Sequence, residues 1–333
     1  MTADPVATGR RFATVIVNYN GGSMLAECVR SCLAESIPPS QIVIVDNGSR
    51  DGSIEALEGQ IAGLNMVRNP GNAGFARAAN QGIRQSSAEF VILLNNDARL
   101  EEGALGAFAQ GFDERPNLAI AGARLQSPDG RLQSAFAPFP SLAEELLPLF
   151  LLRIFAPRHF RRKTDGTEPI AVESVYGACL SVRARFLPRL GLLDEDFFFF
   201  FEEIEWCQRA RRTGFEVWYL PAARAVHGGG ATVNRMHGPA RVEYQRSKLT
   251  FFRKSRGAGT YFLVSSYLVI RTFLDALGSA AACVFTLFLK GRLRRKALTY
   301  GYLLLWHFLL RPGHWGLPEK CSPNPSTQGL PAR

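Results

Sequence analysis

The alternation of short β-rich runs with helical patterns up to Leu125 leaves this chain few folds to choose from. The runs FATVIVNYN (12–20), QIVIVDNGS (41–49), LNMVRNPG (64–71), EFVILLNND (89–97) and LAIAGARL (118–125) are strand candidates that end in polar or turn-forming residues. Between them, apolar residues recur at helical spacing: Leu25, Val29, Cys32 and Leu33 in one segment, Ile54, Leu57 and Ile61 in the next. Strand, helix, strand repeated in this way predicts an α/β fold, a mostly parallel sheet with helices on both faces. Ligands of such sheets bind beyond the carboxyl ends of the strands, where Asn18, Asp46 and Asp97 fall.

Residues 126–173 break the rhythm with several prolines, the run EELLPLFLLRIFAPRHF and a charged turn, as an insertion or flap does. From Val175 the pattern resumes through YGACLSVRARFL, a phenylalanine run, a helix around 202–213 and EVWYLPAARAVHGGG. Beyond it, three apolar stretches (261–270, 273–289 and 298–310) are separated by Arg271 and by KGRLRRK. None reaches the roughly 20 clean apolar residues of a spanning helix, so interfacial amphipathic helices or a short re-entrant hairpin are expected. The expected organisation is a catalytic domain over 1–257, a basic apolar helical region over 258–312 and a disordered tail over 313–333.

With 333 residues, 47% of them hydrophobic and 20% charged, the chain can bury one large or two ordinary cores. Its net charge of +10 is concentrated late: Arg241 to Arg311 holds thirteen Lys or Arg against Glu243 and Asp275 alone. The basic residues are interleaved with apolar runs and not with polar loops, which points to an anionic membrane surface and away from nucleic acid. Lys290, Arg292, Arg294, Arg295 and Lys296 form the densest group. The N-terminus, MTADPVATGRRF, has no apolar leader, which predicts a body in the cytosol at the cytoplasmic face of the membrane. The six cysteines form no CxxC pair and read as reduced core residues.

Three junctions carry chemistry-bearing residues. DNGSRDGS (46–53) follows a strand and reads either as a turn with a helix cap or as a ligand contact. RNPGNAGFARAANQGI (68–83) places glycines and asparagines where backbone can approach a ligand, but lacks the GxGxxG of dinucleotide-binding oxidoreductases. LLNNDARL (93–100) delivers Asn95, Asn96 and Asp97 as oxygen ligands suited to a hard divalent cation on a diphosphate, or else as an ordinary polar turn. His227, before three glycines, is a structural histidine or a metal ligand with room for substrate beside it.

Taken together, VIVNYNG, IVDNGSRDGS, NPGNAGFARAANQGI, LLNND, YGACLSVRARFL, GLLDEDFFFFFEEIEWCQRARRTGF and PAARAVHGGG resemble the family 2 glycosyltransferases, especially their rhamnosyltransferase-like branch. The resemblance covers Phe12 to Gly230 and implies a GT-A nucleotide-binding fold and inverting sugar transfer, with Mg²⁺ or Mn²⁺ as cofactor. It implies a nucleotide-sugar donor, first of all dTDP-rhamnose, and a saccharide or polyprenyl-linked saccharide acceptor in cell-surface polysaccharide synthesis. It also implies that Asn18 and Asp46 lie against the nucleotide, with Asn72 and Asn80 lining the same pocket. Asn95, Asn96 and Asp97 match the family's DxD motif, Glu203 its catalytic base, and His227 a metal ligand of some relatives. Asn95 departs from the motif and removes one negative charge from the cation's surroundings. The alternatives are a nucleotidyltransferase, although NYNGGSMLAE offers no Lys or Arg to grip a triphosphate, and a non-catalytic membrane scaffold.

The stretch DFFFFFEEIEWC (196–207) sets five phenylalanines against three glutamates. On a helix starting near Phe201, Glu202 and Glu205 share a face while Glu203 points about 100° away. Arg209 stands four residues beyond Glu205, the favourable orientation for a helical ion pair. Glu202 can orient substrate or favour the helix N-terminus. Glu203 remains as the base, its proton affinity raised by a phenylalanine wall. The alternative is a plain core strand followed by a solvated glutamate.

Overall fold

The computed structural model describes residues 4–147, 151–152, 165–229 and 237–317. Residues 148–150 and 153–164 of the expected 126–173 insertion, Cys321 and residues 318–333 of the expected tail lie outside these. The strands are β1 (Phe12–Asn18), β2 (Ile42–Asp46), β3 (Asn65–Arg68), β4 (Phe90–Asn95), β5 (Ala98–Leu100), β6 (Leu118–Gln126), β7 (Phe136–Ala137), β8 (Ile170–Ala171), β9 (Ser174–Val175), β10 (Cys179–Arg183) and β11 (Glu216–His227). The helices of the sheet region are α1 (Ser23–Ala34), α2 (Ser53–Glu58), α3 (Phe75–Gln85), α4 (Ala104–Glu114), α5 (Leu142–Leu146) and α6 (Glu202–Arg212); α7 (His237–Phe285) and α8 (Gly291–Phe308) follow.

The main sheet runs β3-β2-β1-β4-β10-β6-β11-β5, with β8 added beside β11. Pairing is parallel from β3 through β2 and β1 to β4, and between β6 and β11, as the alternation predicts. It is antiparallel where β10 enters between β4 and β6, so the sheet is mixed. The chain leaves β1 toward β2 and β3 and returns on the other side as β4. That reversal opens a crevice at the carboxyl ends of β1 and β4, the position where open α/β sheets bind ligands. Val15, Ile16, Ile44, Val45, Ile92 and Leu93 are buried with the apolar faces of α1, α3 and α4 against them. The burial of β1, β2 and β4 along nearly their whole length is what their continuous apolar runs require.

β11 carries Pro221 inside a break in its register with β6, between Leu220 and Arg224. A bulge tolerates the missing amide donor there, and beyond it the strand continues against β5, with His227 opposite Ala98. The bulge thus delivers His227 next to Asp97.

The C-terminal helices depart from the expected separate segments. Residues 261–270 and 273–285 are one continuous piece of α7, since Arg271 has Asp275 one turn on at 3.9 Å and neither charge interrupts the helix. By length and composition, one helix among the described residues, Gly238–Phe285, is long and apolar enough to cross a membrane. It is broken at Gly257, whose φ of 84° and ψ of 179° suit only glycine. Leu249 and Phe252 before the break pack with Val264 and Leu268 after it, so the two arms double back on each other. α8 lies against the hairpin through Val242, Leu303 and Trp306, and through Arg311 donating to the hydroxyls of Tyr261 and Ser265. Cys28, Cys32, Cys179, Cys207 and Cys283 are buried free thiols, as expected.

Candidate active site

At the crevice, Asn18 stands in register with Asp46, and Val17 with Asn95. Asn18 is fully buried: its amide nitrogen donates to the hydroxyls of Ser49 and Ser53, both at 3.0 Å, and its oxygen accepts from Asn96 Nδ2 at 2.9 Å. Gly21 packs on this network, where a Cβ would fall 2.4 Å from Asn18 Oδ1 and 2.6 Å from Asn96 Nδ2. The buried carboxylate of Asp46 accepts from the Ser49 amide and hydroxyl. Asp51 accepts from the amides of Gly22 and Ser53. The DNGSRDGS segment is therefore a turn in its own right, closed at both ends by aspartates.

Asn72 Oδ1 accepts from the Gly74 amide at 3.1 Å and braces the turn leading into α3. Asn80, on α3, takes another part than pocket lining. Its nitrogen donates to Leu193 O and Glu195 Oε1, and its oxygen accepts from Leu193 N. At 1% exposure with these bonds made, it clamps the 193–195 loop that leads into the phenylalanine run.

The DxD-like segment and His227 meet. Asp97 Oδ1 lies 3.4 Å from His227 Nε2, and the Gly228 amide donates to Asp97 O at 2.8 Å. Gln133 determines which face of the imidazole is bare. Its Nε2 donates to His227 O at 2.8 Å, which leaves its Oε1 as the acceptor for Nδ1–H, also at 2.8 Å. In the neutral ring Nε2 then carries a lone pair, enclosed without a hydrogen-bond partner and turned toward a carboxylate. Two electron-rich atoms held together in this way fit a cation between or beside them, and a neighbour that orients the ligating histidine is a recurrent feature of metal sites. Among the described residues no group of three or more His, Cys, Asp or Glu side chains could hold a metal. Protein ligands would thus number about two, with the remaining oxygens coming from Asn95, water or a substrate diphosphate.

The glutamates face a cavity of about 750 Å³ whose wall includes Asn95, Gly177, Glu202, Glu203 and His227. Asn18, Asp46, Asn72, Asn80 and Asn96 stand outside that wall, at the strand-end side. α6 begins at Glu202, in agreement with the expected start. Glu205 pairs with Arg209 at 2.7 Å and is the structural member of the three. Burial pushes the half-buried Glu203 carboxyl up to about 6, against the opposing amides of Gly177 and Ile204. Glu202, 5% exposed, is raised well above the carboxylate range by burial and then by the neighbouring Glu203. Its ionised form is thus disfavoured by burial at the start of α6. One oxygen of each, Oε2, is enclosed without a partner.

The phenylalanine run is not a strand. Phe200 and Phe201 adopt φ of 69° and 71°, a left-handed conformation costing about 1–2 kcal/mol per non-glycine residue. The turn is held from both sides: Phe75 N donates to Phe198 O at 2.7 Å, and Ser247 Oγ of α7 donates to Phe199 O at 2.8 Å. Phe197 and Phe201 pack on Phe251 of α7, while Phe199, Phe200 and Phe201 line the cavity. The run is thus a wall, and its strained turn aims Glu202 and Glu203 inward.

Sequence reasoning missed Gln133, Glu243, whose charge helps to raise Glu202, and the part played by Tyr244, Lys248 and Arg271 in the cavity wall. Gln133 lies in the segment that breaks the strand rhythm. Arg271 reaches the same cavity as Tyr244 and Lys248 because the helix doubles back at Gly257, which spacing along a continuous helix does not reveal.

Residues 14–189 match the profile of glycosyl transferase family 2. The N-acetylglucosaminyl-diphospho-decaprenol L-rhamnosyltransferase of Mycobacterium tuberculosis is 24% identical over 229 residues, 64% of this chain and 74% of that protein. The dTDP-rhamnosyl transferase RfbF of Shigella flexneri is 25% identical over 252 residues, 72% of this chain and 79% of that protein. Among solved structures, that of GalNAc-T7 with UDP, GalNAc and Mn²⁺ superposes with a TM-score of 0.50 at 18% identity, covering 75% of this chain. The chain spans about half the length of that solved protein, 52%, and the likeness is one of fold.

Proposed function

Since the chain belongs to glycosyl transferase family 2 and is a glycosyltransferase, we propose that it moves a sugar from a nucleoside diphosphate to a saccharide hydroxyl held against Glu203. The observation carrying this reading is that three enclosed polar atoms without a hydrogen-bond partner, Glu202 Oε2, Glu203 Oε2 and His227 Nε2, belong to residues in the wall of one cavity. The family membership replaces the nucleotidyltransferase and scaffold alternatives.

In this reading the nucleotide lies over Asn18, Asp46 and the 69–74 turn, whose rigid hydrogen-bond network needs no rearrangement to receive it. Asp97 and His227, with Asn95 beside them, would hold Mg²⁺ or Mn²⁺. That ion would supply positive charge to the departing diphosphate. Glu203 takes the proton from the acceptor hydroxyl as it attacks from the opposite face of the sugar, so the anomeric configuration inverts. Glu202, whose ionised form burial disfavours, lines the same cavity and helps to orient the acceptor beside the base. The aromatic wall excludes water that would otherwise compete with the acceptor.

The names of two relatives support rhamnose as the transferred sugar, and one supports a lipid-linked acceptor. A panel of dTDP-, UDP- and GDP-sugars tests the reading. Nucleoside diphosphate should be released fastest from dTDP-rhamnose, and release should need a divalent ion. No release from any donor overturns the assignment.

The membrane enters through the last two helices, and we propose a division into a catalytic domain over 1–257 and a membrane-associated region over 258–312. Phe262, Ile270, Phe273, Leu274, Leu277, Val284 and Phe285 are exposed apolar residues on α7, and Lys290 to Lys296 follow at the start of α8. Each basic residue near an anionic surface adds about 1 kcal/mol of attraction. The full chain should float with anionic vesicles at low salt, at the face corresponding to the cytoplasm. Flotation equal with neutral and anionic vesicles, or none at all, would remove the basic group from this part.

A further inference from the structure

We propose that Arg271 is a subsite for the diphosphate that joins the acceptor saccharide to its hydrophobic chain; the proposal rests on the reading of the cavity as an acceptor site. Between Gly257 and Leu289 the chain carries two charged residues, Arg271 and Asp275. An arginine within so apolar a helix is costly where the helix meets lipid, and such residues mark binding sites. The doubling back at Gly257 sets Arg271, one turn beyond Leu268, near the level of Tyr244 and Lys248 on the opposing arm. All three line the cavity that holds Glu203.

The other charges at this end of the cavity are engaged. Lys248 Nζ lies 2.7 Å from Glu145 Oε1, and Glu144 closes the capping box of α5 with Ser141. The Arg271 guanidinium, by contrast, has Asp275 at 3.9 Å, beyond hydrogen-bond length, and makes no hydrogen bond among the described residues. Its side chain is 57% exposed. A planar fork of five donors matches phosphate oxygens two at a time, which lysine does not reproduce.

Around Arg271 the surfaces follow the order of a lipid-linked saccharide. Phe199, Phe200 and Tyr244 line the cavity with Glu203 and suit sugar rings. Arg271 stands where cavity wall meets helix surface. Ile270, Phe273, Leu274 and Leu277 then offer an exposed apolar strip on the same helix, suited to a hydrocarbon chain. A saccharide alone uses the first of these surfaces and a phospholipid the last two.

The test measures binding to the full chain in neutral detergent, with farnesyl diphosphate, farnesol and inorganic diphosphate as probes. Wild type should bind farnesyl diphosphate at least about tenfold more tightly than farnesol. Arg271→Gln should weaken farnesyl diphosphate by about 10- to 100-fold, the scale of a lost charge-assisted contact, and leave farnesol and dTDP unchanged. Arg271→Lys should fall between, and inorganic diphosphate should bind weakly to all three proteins. Unchanged dTDP binding also shows that the variants are folded. Equal affinity of Arg271→Gln and wild type for farnesyl diphosphate overturns the proposal. So does displacement of that probe by phosphatidylglycerol at equal concentration, which would make Arg271 a headgroup contact. Since nothing here depends on turnover, loss of this subsite is distinguishable from failure of the sugar-transfer reading.

Discussion

Glu203→Gln should lower sugar transfer by about 100-fold or more while dTDP-sugar binding stays within about twofold of wild type, on the usual scale of general base catalysis. The amide keeps the shape of the side chain against Gly177 and the aromatic wall, and loses the lone pair that receives the proton. A stability change of opposite sign accompanies the loss. A carboxyl raised to about 6 in the folded state contributes stability below the ordinary carboxylate range and loses it as pH rises through 6. At neutral pH the ionised group therefore costs on the order of 1 kcal/mol or more, and Glu203→Gln should melt a few degrees higher at pH 7.5. A variant that is less active and more stable has not simply misfolded. Glu202→Gln should be milder, because burial already disfavours the ionised form that the amide removes. Near wild-type transfer by Glu203→Gln, with Glu202→Gln or Glu205→Gln inactive, would assign the base elsewhere.

Asp97→Ala should nearly abolish transfer, and His227→Ala should raise the concentration of Mg²⁺ or Mn²⁺ needed for half-maximal rate by about tenfold or more. Asp97 supplies the carboxylate of a segment whose first position is Asn95, so no second acidic side chain of that motif can replace it. His227 would contribute Nε2, whose direction depends on Gln133. Gln133→Ala should accordingly show a smaller shift of the same kind, since Nδ1 and Nε2 could then exchange the proton. Metal titrations of the rate read all three variants. Full wild-type activity in excess EDTA contradicts the assignment, as does an unchanged metal requirement in His227→Ala.

What the sequence discloses here follows from how local each determinant is. β1, β2, β4 and β6 are legible because each is a buried apolar run with a polar end, and Asn18, Asp46 and Asn95 fall at those ends by chain order alone. Glu205 is legible as an ion pair because its partner lies four residues away. The antiparallel entry of β10 between β4 and β6 is not legible, since the same run of residues satisfies either direction of pairing. Asn80 looks like a ligand residue until the 193–195 loop, more than a hundred residues later, is folded onto it. Glu202 reads as a charged helix start, and only its enclosure beside Glu203 and Glu243 raises its proton affinity. The phenylalanine run suggests a strand by composition; the bonds from Phe75 and Ser247 hold it in a left-handed turn. In the sequence Arg271 divides two apolar segments, whereas the Gly257 reversal makes it part of a cavity wall.

The claim on which the rest depends is that the half-buried carboxylate of Glu203 is the base of the transfer step. The pH dependence of kcat/KM at saturating metal tests it most directly. The rate should fall as pH drops through about 6, because the protonated carboxyl cannot accept the hydroxyl proton, with that limb absent from the residual activity of Glu203→Gln. A wild-type profile flat down to pH 4.5, or the same acid limb persisting in Glu203→Gln, would contradict it.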